Sequence, residues 1–175
     1  MKAEAQVLPQ VETVAATPQI LKAMLAVATP EQMSWKPSAE RWSVAEVLAH
    51  LVHVEINSLR FRARKMAEED NPTFPSYDQM EEYAKGTYSG KAGHEQLEKF
   101  CQVREESLRW LSSLPREAWQ RTGQHPEVGV IRLSQTMNLW AFHDLGHVRQ
   151  IAELYRAQAF WDGMGSLQVY YSVNP

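Results

Sequence analysis

Two histidines in the second half of the chain have the spacing of a metal-binding pair. His143 and His147 stand four residues apart in the segment HDLGH. On an α-helix, side chains four residues apart lie one turn apart on the same face, so both imidazoles can bind one ion. Such pairs also arise by chance on solvated faces, and the neighbouring residues must therefore decide between the two interpretations.

The neighbours of this pair place it on an inward face. Apolar and small side chains recur at steps of three or four along the same segment, at Thr136, Trp140, Ile151 and Leu154. Two imidazoles buried side by side lose water, which is costly unless their nitrogens find partners. A metal ion is one such partner, and a hydrogen-bonded structural pair is the alternative.

A third imidazole is available from an earlier helical segment. His50 belongs to the stripe Val47, His50, Val54 and Phe61, which we expect to face the core. A single core histidine is usually only hydrogen-bonded, but His50 would complete a three-histidine site in the centre of the bundle. His53 has mostly polar neighbours and is the fallback ligand.

The ligand set predicts the kind of metal and three classes of function. Nitrogen ligands favour Zn, Ni, Cu or Fe(II) over Ca or Mg, and three protein ligands leave a position open, as in catalytic zinc sites. The first hypothesis is an enzyme that activates a thiol or water for attack on a small electrophile. The second is a metal-dependent hydrolase. The third is a non-enzymatic metal-binding or dimerisation module, whose fourth position a protein side chain would fill.

Four further polar residues are candidates for roles around the metal. Asp144, Gln150 and Glu55 could hydrogen-bond a ligating imidazole. Asp144 points about 100° around the helix from the neighbouring ligand, so we expect it at the surface or between helices. Glu55 could border the cavity, and Arg149 could meet an anionic substrate, although a solvated arginine is the simpler interpretation.

Capping signals and apolar periodicity divide the chain into helices. Ser43 and Glu46 form a capping box at the start of a helix that ends near residue 69. A first helix is predicted from Thr17-Pro18, with an extension over 7–16 left open because of Pro9. The remaining expectations are a short turn over 29–33, short and long helices over 76–85 and 94–114, a connection over 115–130, and a helix that is capped by Ser134 and runs to about Ala157.

Composition predicts one globular domain spanning 1–175, with a core over about 17–157 and an irregular tail over 158–175. The chain has 175 residues and a formal charge of −3, which gives no reason to expect nucleic-acid binding. No run of apolar residues is long enough to span a membrane, and Met1 to Pro9 has no secretory pattern. The single cysteine, Cys101, predicts a reducing compartment, and cytoplasm is the default.

Three segments in order resemble the DinB-like (DinB/YfiT) superfamily. They are WKP at 35–37, WSVAEVLAHL at 42–51 and HDLGHVRQI at 143–151, and the resemblance covers roughly residues 17–157. It implies an all-α four-helix bundle with up-down-down-up topology, frequently a homodimer. The family's three metal ligands fall on His50, His143 and His147.

The resemblance also implies a cofactor and a range of activities. The metal in the family is Ni or Zn. Members with assigned activities are mostly S-transferases or isomerases that use a low-molecular-weight thiol, and others are regarded as hydrolases. A small-molecule substrate is therefore expected, with no membrane or nucleic-acid partner.

Overall fold

The chain folds into a four-helix bundle, and the computed structural model describes residues 8–175. Two of its helices, Val44–Val54 and Arg60–Glu68, are joined by a π-helical turn, Glu55–Leu59, and together form one long segment. This segment and the three longest single helices build the bundle. The helices are α1 (Pro9–Leu25), α2 (Pro30–Ser34), α3 (Val44–Val54), α4 (Arg60–Glu68), α5 (Gln79–Ala84), α6 (Gly93–Ser112) and α7 (Leu133–Phe160).

Side-chain contacts give the directions of the four bundle helices. Helices α1 and α7 run parallel, because the residue numbers increase in the same direction along both helices in two hydrogen-bonded pairs: Gln10 with Asn138 and Thr17 with Asp144. The α3–α4 segment and α6 are parallel for the same reason: Glu55 with Arg104 and Arg60 with Glu106. Helices α1 and α6 are antiparallel, as shown by Lys22 with Glu98 and Val14 with Arg104. The topology is therefore up-down-down-up.

Two clusters of buried apolar side chains fill the bundle, one toward each end. The first is built around Leu48, Leu51 and Phe100. The second contains Met137 and Trp140 of α7. None of the described helices combines the length and the apolar character that a membrane crossing requires.

The predicted start of the second bundle helix is confirmed. The Ser43 hydroxyl accepts a hydrogen bond from the backbone N–H of Glu46 (3.1 Å), and the Glu46 carboxylate accepts one from the N–H of Ser43 (2.9 Å). Both donors lie in the first turn, where no carbonyl of the helix can reach them. This capping box fixes where α3 begins and hence which residues of α3 face inward.

The predicted start of the first helix at Thr17-Pro18 is wrong. Helix α1 begins at Pro9 and contains Pro18, so the helical part of the extension considered over 7–16 is confirmed from Pro9 onward, and Val7 lies outside the described residues. Pro18 has no N–H for the carbonyl of Val14. Arg104 supplies the missing donor through Nη1, 2.5 Å from that carbonyl oxygen. A side chain from another helix therefore compensates for the proline.

The connection before α7 holds structure that the sequence did not predict. A short 3-10 helix, Arg116–Gln120, leads into an antiparallel hairpin of β1 (Thr122–His125) and β2 (Gly129–Arg132). Strand β2 runs directly into α7, and the side chain of Gln135 accepts from the N–H of Arg132. The prediction of Ser134 as the cap is therefore wrong, since the helix already begins at Leu133.

The C-terminal segment is more ordered than predicted. Helix α7 continues to Phe160, and 3-10 turns follow over Asp162–Tyr170, with a kink at Gly165 where φ is 52°. Beyond the turns, the chain returns along α7. Arg156 donates to the carbonyl of Ser172, and the N–H of Asn174 donates to Glu153. The tail is therefore held against the bundle.

Candidate metal centre

Three imidazoles from two helices converge inside the bundle. The Nε2 atom of His143 lies 3.1 Å from Nε2 of His50 and 3.2 Å from Nε2 of His147. One ligand atom from each ring lies within 4.8 Å of the other two. The structure thus brings together the three residues that the sequence selected, and we call them the histidine cluster.

The helices and two aromatic side chains position these rings. His143 and His147 lie one turn apart on α7, and His50 lies opposite them on α3. The fully buried ring of His50 meets the rings of Trp42 and Tyr88 edge-on, with centroids 5.2 and 5.3 Å away. These contacts hold the imidazole of His50 in the orientation that directs Nε2 toward α7.

One hydrogen bond fixes the tautomer of His147. Its Nδ1 lies 2.8 Å from Oε1 of Gln150. An amide oxygen only accepts, so Nδ1 carries the hydrogen and Nε2 presents its lone pair to the cluster. Among the described residues, the buried Nδ1 atoms of His50 and His143 have no hydrogen-bond partner.

Burial keeps the three imidazoles neutral. Burial, together with the positive charge that a protonated His147 or His143 would carry, lowers the pKa of His50 to about 2. Burial and the charge of a protonated His147 lower the pKa of His143 to about 3. Burial also lowers the pKa of His147, although the Gln150 hydrogen bond opposes this. Neutral imidazoles keep the lone pairs that a metal needs.

The donor chemistry of the cluster fits a transition metal. A hydrogen on Nε2 of His143 can point well at only one of its two neighbours, so hydrogen bonding alone leaves nitrogens of the cluster poorly paired. An ion at the shared point would accept electron pairs from all three nitrogens. Three neutral imidazoles are a donor set that Zn and Ni accept.

A cleft of about 770 Å³ opens beside two of the histidines. This volume lies in the range of small-molecule sites, about 300–1,000 Å³. His143 and His147 form part of its wall, and the C-terminal tail contributes Asn174. A small molecule in the cleft would therefore lie next to the point on which the imidazoles converge.

The other three histidines lie outside the cluster. His53, the fallback ligand, contacts the hydroxyl of Tyr77 through Nδ1 (3.0 Å) and the carboxylate of Glu82 through Nε2 (3.7 Å). His94 is exposed, and His125 lies at the hairpin turn. Only one histidine of the second bundle helix therefore reaches α7.

Asp144 and Glu55 belong to a second polar group, centred on Arg104. The guanidinium contacts both carboxylates, at 2.6 Å to Asp144 and 2.9 Å to Glu55, and all three side chains are at most 1% exposed. Thr17 and Ser107 donate to the same carboxylates. We call these five residues the arginine cluster.

This cluster settles two expectations. Asp144 lies between helices, as predicted, whereas Glu55 does not line the cleft because its carboxylate is held by Arg104. Burial raises the pKa of Glu55, and contact with Arg104 opposes this rise. Sequence reasoning missed the role of Arg104, although an arginine on the otherwise apolar stripe of α6 was a signal of a buried ion pair.

The cysteine has no place in either cluster. Cys101 is half-buried on α6, and burial raises the pKa of its thiol. A raised pKa disfavours the thiolate, which is the reactive form. A packing role for this residue is therefore consistent with its surroundings.

Known proteins resemble this chain in sequence and in fold. Residues 13–151 match the model of the DinB superfamily. The chain is 23% identical over 135 residues to YuaE of Bacillus subtilis, covering 71% of this chain and 83% of YuaE. It is 28% identical over 143 residues to a protein of Oceanobacillus iheyensis named "putative metal-dependent hydrolase", covering 78% of each.

A solved structure shows the same fold. YfiT from Bacillus subtilis superposes with a TM-score of 0.73 and 21% identity, covering 90% of this chain and 93% of that one. YfiT is described as "a probable metal-dependent hydrolase with an unusual four-helix bundle topology". At this level of identity the likeness establishes the architecture.

Proposed function

This chain belongs to the DinB superfamily, as its motifs predicted, and we propose that it is an enzyme that depends on one divalent metal ion bound by His50, His143 and His147. The observation that carries the proposal is the convergence of three Nε2 atoms beside an open cleft. Zinc or nickel is the expected ion, because both accept nitrogen ligands.

The residues of the chain would divide the work at this site. When bound, the ion acts as a Lewis acid that lowers the pKa of a water or thiol next to it. His50, His143 and His147 hold the ion, and Gln150 keeps the Nε2 lone pair of His147 directed at it. The cleft places a small electrophile beside the imidazoles.

The names of the relatives favour water as the nucleophile. The descriptions of the Oceanobacillus protein and of YfiT both name a metal-dependent hydrolase. Hydrolysis of a small ester or amide is therefore our first proposal. Transfer of a low-molecular-weight thiol is the second, because the family resemblance implies it. Turnover of an ester panel with and without added thiols distinguishes the two.

The surroundings of the histidines favour an enzyme over a purely structural site. Among the described residues, the group of potential ligands at this point consists of the three histidines alone. A structural zinc site is usually closed by a fourth protein ligand, whereas a catalytic site keeps a position for water or substrate. The cleft beside His143 and His147 supplies access to that position.

Metal analysis of a matched pair of variants tests the proposal. The wild-type protein is expected to bind about one ion per chain, and His143→Ala is expected to lose at least about 100-fold in affinity because two ligands remain. His53→Ala is the control, since this histidine lies outside the cluster. Retention of stoichiometric metal by His143→Ala would remove that residue from the site and refute the three-ligand model.

Three further expectations remain proposals. We propose a homodimer, as the resemblance implies. Sedimentation equilibrium tests the dimer. A single domain over 1–175 and a cytoplasmic location are likewise proposed from composition.

A further inference from the structure

The cleft beside the histidine cluster carries uncompensated positive charge. Arg41, in the loop before α3, and Arg149, on α7, both line it and both are exposed. Within residues 8–175, neither guanidinium makes a hydrogen bond, an ion pair or a ring contact, unlike those of Arg60 and Arg104. Two arginines with free donors therefore face the space in which a substrate of the proposed enzyme would bind.

The one carboxylate of the cleft does not neutralise these arginines. Oε1 of Glu153 accepts from the backbone N–H of Asn174 (2.7 Å), and Oε2 lies 3.3 Å from Arg156. The charge of Glu153 is thus directed toward Arg156 and the returning tail. The balance at the cleft wall is positive, and a divalent ion would make it more so.

The other side chains of the cleft wall are apolar or carry an uncharged amide group. Leu139 and Phe142 are 49% and 79% exposed and border the same cleft. Gln79 and Asn174 add uncharged polar groups. Such a wall suits a ligand that has an apolar body and one charged end.

We propose that the cleft binds small molecules that carry an oxyanion group on an apolar body, with Arg41 and Arg149 binding the oxyanion. Binding of such a molecule does not depend on the proposed function. Only the further statement that the molecule is the enzyme's substrate rests on that function. An arginine side chain presents a fork of N–H donors that matches carboxylate and phosphate oxygens. The apolar body lies against Phe142 and Leu139.

Binding of a charged and a neutral probe of equal size tests the proposal. The zinc-loaded full chain is titrated with phenylacetate and with phenylacetamide, and Kd is read from NMR shifts of backbone amides. Phenylacetate is expected to bind more tightly by about fivefold to 25-fold, since each exposed charge pair contributes up to about fivefold and two arginines take part. Phenyl phosphate is the third probe and tells whether phosphate is preferred to carboxylate.

Substitution of the arginines separates their effect from direct binding to the metal. Arg41→Gln and Arg149→Gln are each expected to weaken phenylacetate binding by about fivefold and to leave phenylacetamide unchanged. Arg149→Lys should retain most of the affinity, because it retains the charge. Arg109→Gln is the control, since Arg109 is exposed on α6 away from the cleft.

The outcomes are distinct from those of the metal proposal. Equal binding of the two probes, or arginine variants that bind phenylacetate as tightly as Arg109→Gln, would overturn the anion site. The same titration on His143→Ala shows whether the preference for the anion persists when metal binding is removed. If His143→Ala still binds phenylacetate more tightly than phenylacetamide, the arginine site is supported even if no turnover is found. If that preference is lost in His143→Ala, the anion binds the metal and the arginine site is refuted.

Discussion

The histidine cluster and the arginine cluster both lie in the interior of the bundle. In the arginine cluster the polar atoms find hydrogen-bond and charge partners within the protein, whereas in the histidine cluster several do not. They meet on α7, where His143 belongs to the first and the next residue, Asp144, belongs to the second. In the arginine cluster, two carboxylates, two hydroxyls and a backbone carbonyl all contact their partners. In the histidine cluster, two buried Nδ1 atoms have no described partner, and three Nε2 atoms face one another.

The difference separates a polar group that stabilises the fold from one whose donor atoms are suited to bind an ion. Buried charges are tolerated when each is paired, and they become costly when one partner is removed. Imidazoles that face one another without sufficient donors gain from an external partner, such as an ion. The degree of internal satisfaction therefore predicts which cluster responds to substitution and which responds to metal.

The largest effect is expected from Arg104→Met. This change leaves Glu55 and Asp144 buried without their cation and removes the donor to the carbonyl of Val14, so the free energy of unfolding should fall by about 3–5 kcal/mol. Urea unfolding followed by circular dichroism measures the change. Arg109→Met, on the exposed face of the same helix, is expected to change it by less than about 0.5 kcal/mol.

A triple variant sharpens this prediction. Adding Glu55→Gln and Asp144→Asn to Arg104→Met removes the unpaired charges and is expected to recover much of the lost stability. A loss below about 1 kcal/mol in Arg104→Met, the size of an exposed pair, would mean that the two clusters do not differ in the way proposed.

The second effect is the part of the pH dependence of stability that the histidine cluster contributes. Between pH 6.5 and about 3, the unfolded chain protonates histidines that the metal-free folded chain keeps neutral, because the pKa of His50 is lowered to about 2 and that of His143 to about 3. The unfolded state then binds more protons, so stability falls as the pH falls. The slope is about 1.4 kcal/mol per pH unit for each such histidine.

A non-titrating variant isolates this slope. Between pH 6 and 4, His50→Gln in the presence of a chelator is expected to show a slope smaller by about 1.4 kcal/mol per pH unit than the wild type. His94→Gln, at an exposed position, is the control. Equal slopes in His50→Gln and the wild type would show that His50 is not held neutral by its surroundings.

The smallest effect is expected from Gln150→Leu. The variant removes the oxygen that accepts from Nδ1 of His147, so the tautomer that presents Nε2 to the ion is no longer favoured. Metal affinity is expected to fall by about tenfold, with little change in the stability of the metal-free protein. Competition with a chromophoric chelator measures the affinity, and an unchanged affinity would assign Gln150 no part in orienting the ligand.

Local sequence patterns predicted which segments are helical better than they predicted the residues at which the helices begin and end. The capping box at Ser43 placed the start of α3 correctly, because both of its hydrogen bonds are made within four residues. The start of α1 was misplaced at Pro18, since the donor that compensates for this proline comes from Arg104 on another helix. The hairpin was not predicted either, because its two strands are only four residues long each.

The sequence by itself determined the fold class and the ligand candidates. Apolar residues at helical spacing decide which face is buried, and His50, His143 and His147 all stand on such faces, so their inward position follows from local geometry. The tertiary structure decided what lies beside them. Trp42 and Tyr88 against His50, the pairing of Glu55 with Arg104 and the cleft wall at Arg41 and Asn174 join residues far apart in the chain. Contacts of that kind depend on how the helices cross, which no single helix encodes.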